Sequence, residues 1–293
     1  MSAVRRHIHD HRPEADTLDP WDALRMAGED PDADIELLQQ VVLESGNTTA
    51  CVLFAASVPD ADVERLQDAV LRDGEGHDCH MFARHVRGAD IRALQERVLE
   101  IGSGWHCATF AADIPGADVE ALQDRVVEIG DGVDCHYLAR HIRGADIERL
   151  QRRFMEAFHP RYAVRFAEIP GVDRGVLQDA VLACDDLRCH REFARWIPGA
   201  DVAALQRKTL EQGGTRDCFE FAYRVPGADV RALQERFLVC RPSAKECLEF
   251  ATFVRDADVE SLRDYLEGVD DPLEREKAER LCGSSGEGDT PGP

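Results

Sequence analysis

A degenerate tract, Gly-Ala-Asp-Val/Ile-x-x-Leu-Gln, returns along the whole chain. Its aspartate falls at Asp34, Asp62, Asp90, Asp118, Asp146, Asp173, Asp201, Asp229 and Asp258. The intervals are 28, 28, 28, 28, 27, 28, 28 and 29 residues. A fixed period of this length marks a supersecondary unit repeated in tandem, and it constrains the fold before any other feature does. "DCHMFARHVRGAD" (78–90) is therefore not an isolated cluster of metal-binding residues, because "DCHYLARHIRGAD" (134–146) repeats it 56 residues on.

Each copy reads as two short helices. Cys79, Phe82, Ala83 and Val86, and then Cys107, Phe110, Ala111 and Ile114, fall at i, i+3, i+4 and i+7, one face of a 3.6-residue period. An alanine recurs in all nine first helices (Ala27, Ala55, Ala83, Ala111, Ala139, Ala167, Ala194, Ala222, Ala251), where a small side chain lets neighbouring helices approach. Pro-Gly or Arg-Gly breaks the first helix. The aspartate then caps the second, whose stripe is exemplified by Val119, Leu122, Val126 and Ile129. Gly46, Gly74, Gly102, Gly130 and Gly213 stand twelve residues after their aspartates, where a left-handed C′ residue is expected to end the helix.

Helix pairs this short bury their apolar stripes only by stacking on their neighbours. The expected fold is all-α: an α-solenoid of about nine two-helix repeats over residues 21–268, forming an elongated rod or superhelix. At 8–10 Å between neighbouring helices it would extend roughly 80–90 Å. The 27-residue interval places a one-residue deletion at "FAEIPGVD" (166–173), where a change of twist is expected. Residues 1–20 are expected to be flexible, and 269–293 to hold a short helix and a disordered Gly/Ser/Pro tail.

This organisation resembles the tetratricopeptide, HEAT and armadillo class of α/α solenoids over roughly residues 20–268. The motif C-x-x-F-A-x-x-V-x-G-A-D-V-x-x-L-Q resembles helical repeats of uncharacterised bacterial and phage proteins. The resemblance implies a fold and carries no activity with it.

Composition narrows the function classes. With 35 Lys+Arg against 57 Asp+Glu, the net charge of −22 argues against phosphate neutralisation on a nucleic acid and against an anionic membrane surface. No apolar run approaches the 18 or more residues of a spanning helix, and the first residues lack a signal peptide's apolar region. Ten cysteines without an export signal point to reduced thiols in a cytoplasm.

Several residue sets invite a functional reading. Cys51, Cys79, Cys107, Cys135, Cys218 and Cys247 share one position on the first-helix stripe, filled elsewhere by Ala23, Ala163 and His190, and are read as core. Cys184 and Cys240 share a late position of the second helix. His80 with His85, and His136 with His141, lie i, i+5 apart, about 140° around a helix; this suits solvated surface better than one metal ion. "HIHDH" (7–11) would align three imidazoles only if extended. No metal, cofactor or catalytic motif is expected.

Gln39, Gln67, Gln95, Gln123, Gln151, Gln178, Gln206 and Gln234 form a column. It is either a structural ladder to the neighbouring turn or a polar stripe that grips a bound peptide backbone. Glu64, Asp68, Glu96, Glu100, Glu120, Asp124, Glu128, Glu148 and Glu156 line up on second helices as an acidic band. That band is either a solvated face or a docking surface for a basic partner. The leading functional expectation is a non-enzymatic scaffold holding a protein or peptide partner. A nucleic-acid mimic that inhibits a DNA-binding protein, and an enzyme with a metal-assisted groove site, are the alternatives.

Overall fold

The computed structural model describes residues 18–268, which form 18 α-helices and no strand. Of the segments expected at 1–20 and 269–293, residues 1–17 and 269–293 lie outside the described residues. The first helix begins at Pro20, one residue before the boundary drawn from the sequence.

Clustering of contacts divides the chain into two compact units, the first ending at Ala157 and the second beginning at Phe158. In the first unit, α1 (Pro20–Glu29), α3 (Thr48–Ser57), α5 (Gly76–His85), α7 (Gly104–Asp113) and α9 (Gly132–His141) are first helices. Their partners are α2 (Ile35–Glu44), α4 (Val63–Asp73), α6 (Ile91–Ile101), α8 (Val119–Ile129) and α10 (Ile147–Glu156). The second unit holds α11 (Pro160–Ala167), α13 (Leu187–Trp196), α15 (Thr215–Arg224) and α17 (Ala244–Phe253). They pair with α12 (Arg174–Ala183), α14 (Val202–Gln212), α16 (Val230–Val239) and α18 (Val259–Glu267). Within each unit a first helix packs on its own second helix and on the next first helix, while successive second helices touch more sparingly.

The core is the repeat read out in space. Phe54, Phe82, Phe110 and Leu138 of the first helices, and Leu66, Leu94, Leu122 and Leu150 of the second, are all fully buried. Phe166, Phe193, Phe221 and Phe250 continue the series in the second unit. Burying each such side chain stabilises by about 1.5–3 kcal/mol relative to exposure. The recurrent alanines are buried or half-buried beside them.

All nine aspartates cap as expected. Asp118 Oδ1 accepts from Ala121 N at 3.1 Å, and Asp90 Oδ1 from Ala93 N at 3.0 Å, satisfying N–H groups that the helix leaves open. The breaker between the helices is a tight turn. Ala117 N donates to Ile114 O across Pro115 and Gly116, and Gly116 sits at φ +85°. Pro before a left-handed residue is the signature of a type II turn. Asp60 (φ 61°) and Asp256 (φ 66°) take the same place in their copies, Asp being one of the few residues that tolerates it.

The C′ expectation for the glycines holds only at Gly46, with φ +66°. Gly74, Gly102, Gly130 and Gly213 are extended, with φ between −66° and −78°. They are glycines for steric reasons: a Cβ on Gly74 would lie 2.5 Å from Val70 O, and one on Gly130 would lie 2.6 Å from Val126 O. These four glycines follow 11-residue helices. Where Asp185 or Arg241 stands at the position instead, α12 and α16 stop after ten residues.

The deletion at 166–173 is absorbed at the end of α11. Elsewhere the last apolar residue bonds four back, as Val86 N does to Phe82 O; here Ile169 N reaches Phe166 O, three back. The helix ends in a tightened final turn of only eight residues, and Ile169 still reaches the core.

Candidate binding surfaces

The glutamine column is a ladder inside each unit. Gln95 Oε1 accepts the backbone N–H of Asp118 at 2.7 Å, and Gln67, Gln123, Gln178 and Gln206 do the same for Asp90, Asp146, Asp201 and Asp229. Gln39, Gln206 and Gln234 return a second bond, from Nε2 to the carbonyl of Asp62, Asp229 and Asp258. Apart from half-buried Gln178, the column is buried, Gln151 included. Within each unit, each of these bonded glutamines therefore fixes where the next repeat's second helix begins. Side chains turned inward in this way do not form a stripe that grips a peptide.

A second ladder runs along the first-helix N-termini. Asp78, third residue of α5, accepts from Thr48 Oγ1 of α3 at 2.9 Å and from its own Glu75 N at 3.1 Å. Glu246 repeats the pattern, accepting from Thr215 Oγ1 at 2.7 Å and from Ser243 N at 2.8 Å. The Ser243 amide, ahead of the Thr215 and Ser243 hydroxyls, holds Glu246 below the usual carboxylate range. Asp134 is buried in the same place, and that burial pushes its carboxyl up.

The acidic band is exposed throughout, as the sequence suggested, but arginines interleave it. Arg92 pairs with Glu96 (3.0 Å), Arg97 with Glu100 (2.9 Å), Arg125 with Glu128 (2.7 Å), Arg149 with Asp124 (2.6 Å), Arg152 with Glu148 (3.0 Å) and Arg153 with Glu156 (3.1 Å). Among the described residues, only Glu64, Asp68 and Glu120 of the band form no ion pair. The face is a lattice of both signs, which weakens its field for a basic partner and its likeness to a row of phosphates.

The histidines correct the sequence reading. His85 and His141 are exposed, but His80 and His136 are each only 7 % exposed. The 140° separation accounts for the difference, and in the first pair it turns the His80 ring toward the next first helix. His80 Nε2 lies 3.3 Å from Asp113 Oδ2 of α7, the oxygen that Arg84 holds at 2.7 Å. Burial pushes the His80 imidazole down, and Asp113 opposes that.

The shared-position cysteines are buried, from Cys51 to Cys247. Burial pushes the Cys79 and Cys107 thiols up to about 11, and those of Cys135 and Cys218 to about 12. His190 fills the same position for a different reason: its Nε2 lies 2.5 Å from Val181 O and 3.0 Å from Cys184 O, within donor reach of both. Because α12 ends early, the Val181 carbonyl accepts from Cys184 N, three residues on at 3.2 Å, where Val70 accepts from Gly74 four residues on, and the imidazole is a second group against it. Among the described residues, no group of three His, Cys, Asp or Glu is placed to hold a metal ion.

What sequence reasoning missed lies on the first helices. In the first unit, the Trp105 ring of α7 packs 4.8 Å from Tyr137 of α9, and His141 continues the cluster at 4.4 Å. In the second unit, Tyr223 of α15 meets Phe253 of α17 edge-on at 6.1 Å, with Phe219 stacked 5.8 Å behind it. Trp105, Tyr223 and Phe253 are 44 %, 50 % and 55 % exposed. Beside the second cluster, a cleft of about 260 Å³ opens between Arg216, Phe219, Glu220, Phe237 and Glu249. The available signal was aromatic residues at varying positions of an otherwise constant helix.

These features define an all-α protein of stacked two-helix repeats, consistent with an α-solenoid. Comparison with known proteins found no family model that matches the chain, and no match among curated proteins or solved structures. No helix among the described residues is long and apolar enough to cross a membrane.

Proposed function

We propose that the chain is a non-enzymatic scaffold that holds a protein or peptide partner along its first-helix rows. The observation that carries this reading is the pairing of half-exposed aromatic rings across successive first helices, Trp105 with Tyr137 and Tyr223 with Phe253. Large rings with little freedom left to lose make efficient anchors, and Trp and Tyr dominate the energetics of protein interfaces. Both pairs stand on a frame pinned by the glutamine and capping ladders, so little ordering remains to be done on binding. A basic segment of the partner would find Glu64, Asp68 and Glu120 on the other face, and a cytoplasmic setting suits the many free thiols.

The test is capture of partners by the full chain from a cell lysate, followed by affinity measurement with each purified partner. Replacing Trp105 and Tyr137 with Ala should weaken binding at least tenfold while helicity by circular dichroism is kept. A variant with Glu64→Gln, Asp68→Asn and Glu120→Gln should change affinity and its salt dependence far less. If the acidic variant loses binding and the aromatic variant keeps it, the partner surface is the acidic band. If neither variant loses binding, both surfaces are excluded.

A further inference from the structure

The second unit carries a column of cations that the first unit lacks. The second residue of its four first helices is Arg161 in α11, Arg188 in α13, Arg216 in α15 and Lys245 in α17. The same place in α1, α3, α5, α7 and α9 holds Trp21, Thr49, His77, Trp105 and Val133. Residues 158–268 carry 16 Lys+Arg against 19 Asp+Glu, whereas residues 18–157 carry 13 against 28. The column therefore stands on a nearly balanced surface within a strongly acidic chain.

Helix stability does not account for these four residues. The first turn is the positive end of the helix dipole, which disfavours a cation there. All four side chains are exposed. Among the described residues Arg161, Arg188 and Arg216 enter no ion pair, and Lys245 comes within 3.8 Å of Glu249 on its own helix. The acids one turn along are held elsewhere: Glu192 accepts from Trp196 Nε1 at 2.9 Å, and Glu220 pairs with Arg224. Because α11 packs on α13, α13 on α15 and α15 on α17, the column is continuous. At the other end of the same helices Trp196, Tyr223 and Phe253, each about half exposed, form a parallel aromatic row. At 1.5 Å per residue the two rows lie about 10–12 Å apart.

The spacing of the column selects the shape of its ligand. Packed helices stand about 8–10 Å apart, so the cations recur at about that interval. A β-strand presents one face every second residue, about 6.6–6.8 Å, and falls out of step. A polyproline II segment presents one face every third residue, about 9.3 Å, and stays in step. We propose that this row docks a proline-rich acidic segment of a partner in that conformation, with a carboxylate at every third residue meeting Arg161, Arg188, Arg216 and Lys245 in turn. Guanidinium groups take carboxylates through paired N–H bonds, which suits three of the four positions. A second face of the segment lays its prolines on Trp196, Tyr223 and Phe253, as aromatic-lined grooves take such segments, and the third faces solvent. The inference rests on the scaffold reading and gives it a partner chemistry.

The probe is a fluorescein-labelled dodecapeptide of four Glu-Pro-Ser triplets, titrated with the full chain and followed by anisotropy at low and high salt. The wild type should bind it, and affinity should fall at least threefold from about 50 to about 300 mM NaCl. Arg161→Gln, Arg188→Gln, Arg216→Gln and Lys245→Gln together should weaken binding at least tenfold and flatten the salt response. The pairs Arg161→Gln with Arg188→Gln, and Arg216→Gln with Lys245→Gln, should each lose part of it. They decide the question should the quadruple variant lose its helices by circular dichroism. A peptide of the same composition with its four glutamates adjacent should bind at least threefold more weakly, and equal binding would overturn the three-residue match. Tyr223→Ala with Phe253→Ala separates this proposal from the scaffold reading. Loss in that variant without loss in the Gln variants leaves the aromatic anchors standing and overturns the cation column. The reverse supports the column and counts against the anchors. No binding at millimolar peptide, tighter binding of a single-stranded oligothymidylate of equal length, or a dimer of the chain that the quadruple variant dissolves would each overturn the proposal.

Discussion

At Gly130 φ is −66°, a value any residue adopts, yet an added Cβ would lie 2.6 Å from the Val126 carbonyl oxygen. At Gly116, in the turn before the same helix, the space around a Cβ is open but φ is +85°. Gly130→Ala should therefore destabilise by about 1–3 kcal/mol through a backbone clash or a shortened helix. Gly116→Asp should cost less than Gly116→Val, since Asp60 and Asp256 already occupy that place in other copies. Urea melts of the three variants check the contrast; equal losses for Gly116→Asp and Gly116→Val would count against the left-handed assignment. At Gln95, replacement by Leu removes the acceptor of the Asp118 amide and leaves a part-buried N–H without its partner. The expected loss is about 1–3 kcal/mol, larger than for an exposed ion pair such as Arg92 with Glu96.

Helices and their starts were legible in the sequence because each depends on local chemistry: an apolar period of 3.6 and an aspartate one residue ahead of it. The second-helix stop was legible in position only. A glycine at a helix end usually supplies a left-handed residue, and nothing in the sequence told Gly130 that its own helix's carbonyl would forbid a Cβ. His80 was misplaced because its burial is conferred by α7, a neighbour 28 residues away. The acidic band was legible as a row, with Arg72, Arg92 and Arg152 interrupting it, but the pairing was not, because its arginines come partly from the same helix and partly from the next, as Arg149 does for Asp124. The cysteine stripe could be read because its position lies on the helix's own apolar face. With their thiols pushed up to about 11–12, Cys107 and Cys135 should react negligibly with iodoacetamide at pH 8 in the native chain, and fully in guanidinium. Mass spectrometry of the alkylated peptides gives the answer, and rapid native labelling at Cys107 would remove it from the core.

A stack whose members touch only their neighbours should lose stability locally. Asp118→Ala should cost about 0.5–2 kcal/mol through the lost cap. Amide exchange should then quicken in α7, α8 and the helices packed on them, and stay unchanged in α15–α18. A uniform increase over the described chain would mean that it opens as one cooperative unit. The glutamine ladder adds a direction to this locality. Within each unit every link runs forward, from a glutamine to the aspartate 23 or 24 residues ahead of it. The ninth copy has Arg263 in that place, its guanidinium turned to Glu260, Asp264 and Glu267 of its own helix. In the language of polymers, Gln39 through Gln123 and Gln178 through Gln234 are propagating ends, and Arg263 is a terminator. A copy spliced between a bonded glutamine and the next aspartate of the same unit would be received on both sides, whereas one appended beyond Arg263 would meet no glutamine acceptor until that arginine was replaced by glutamine.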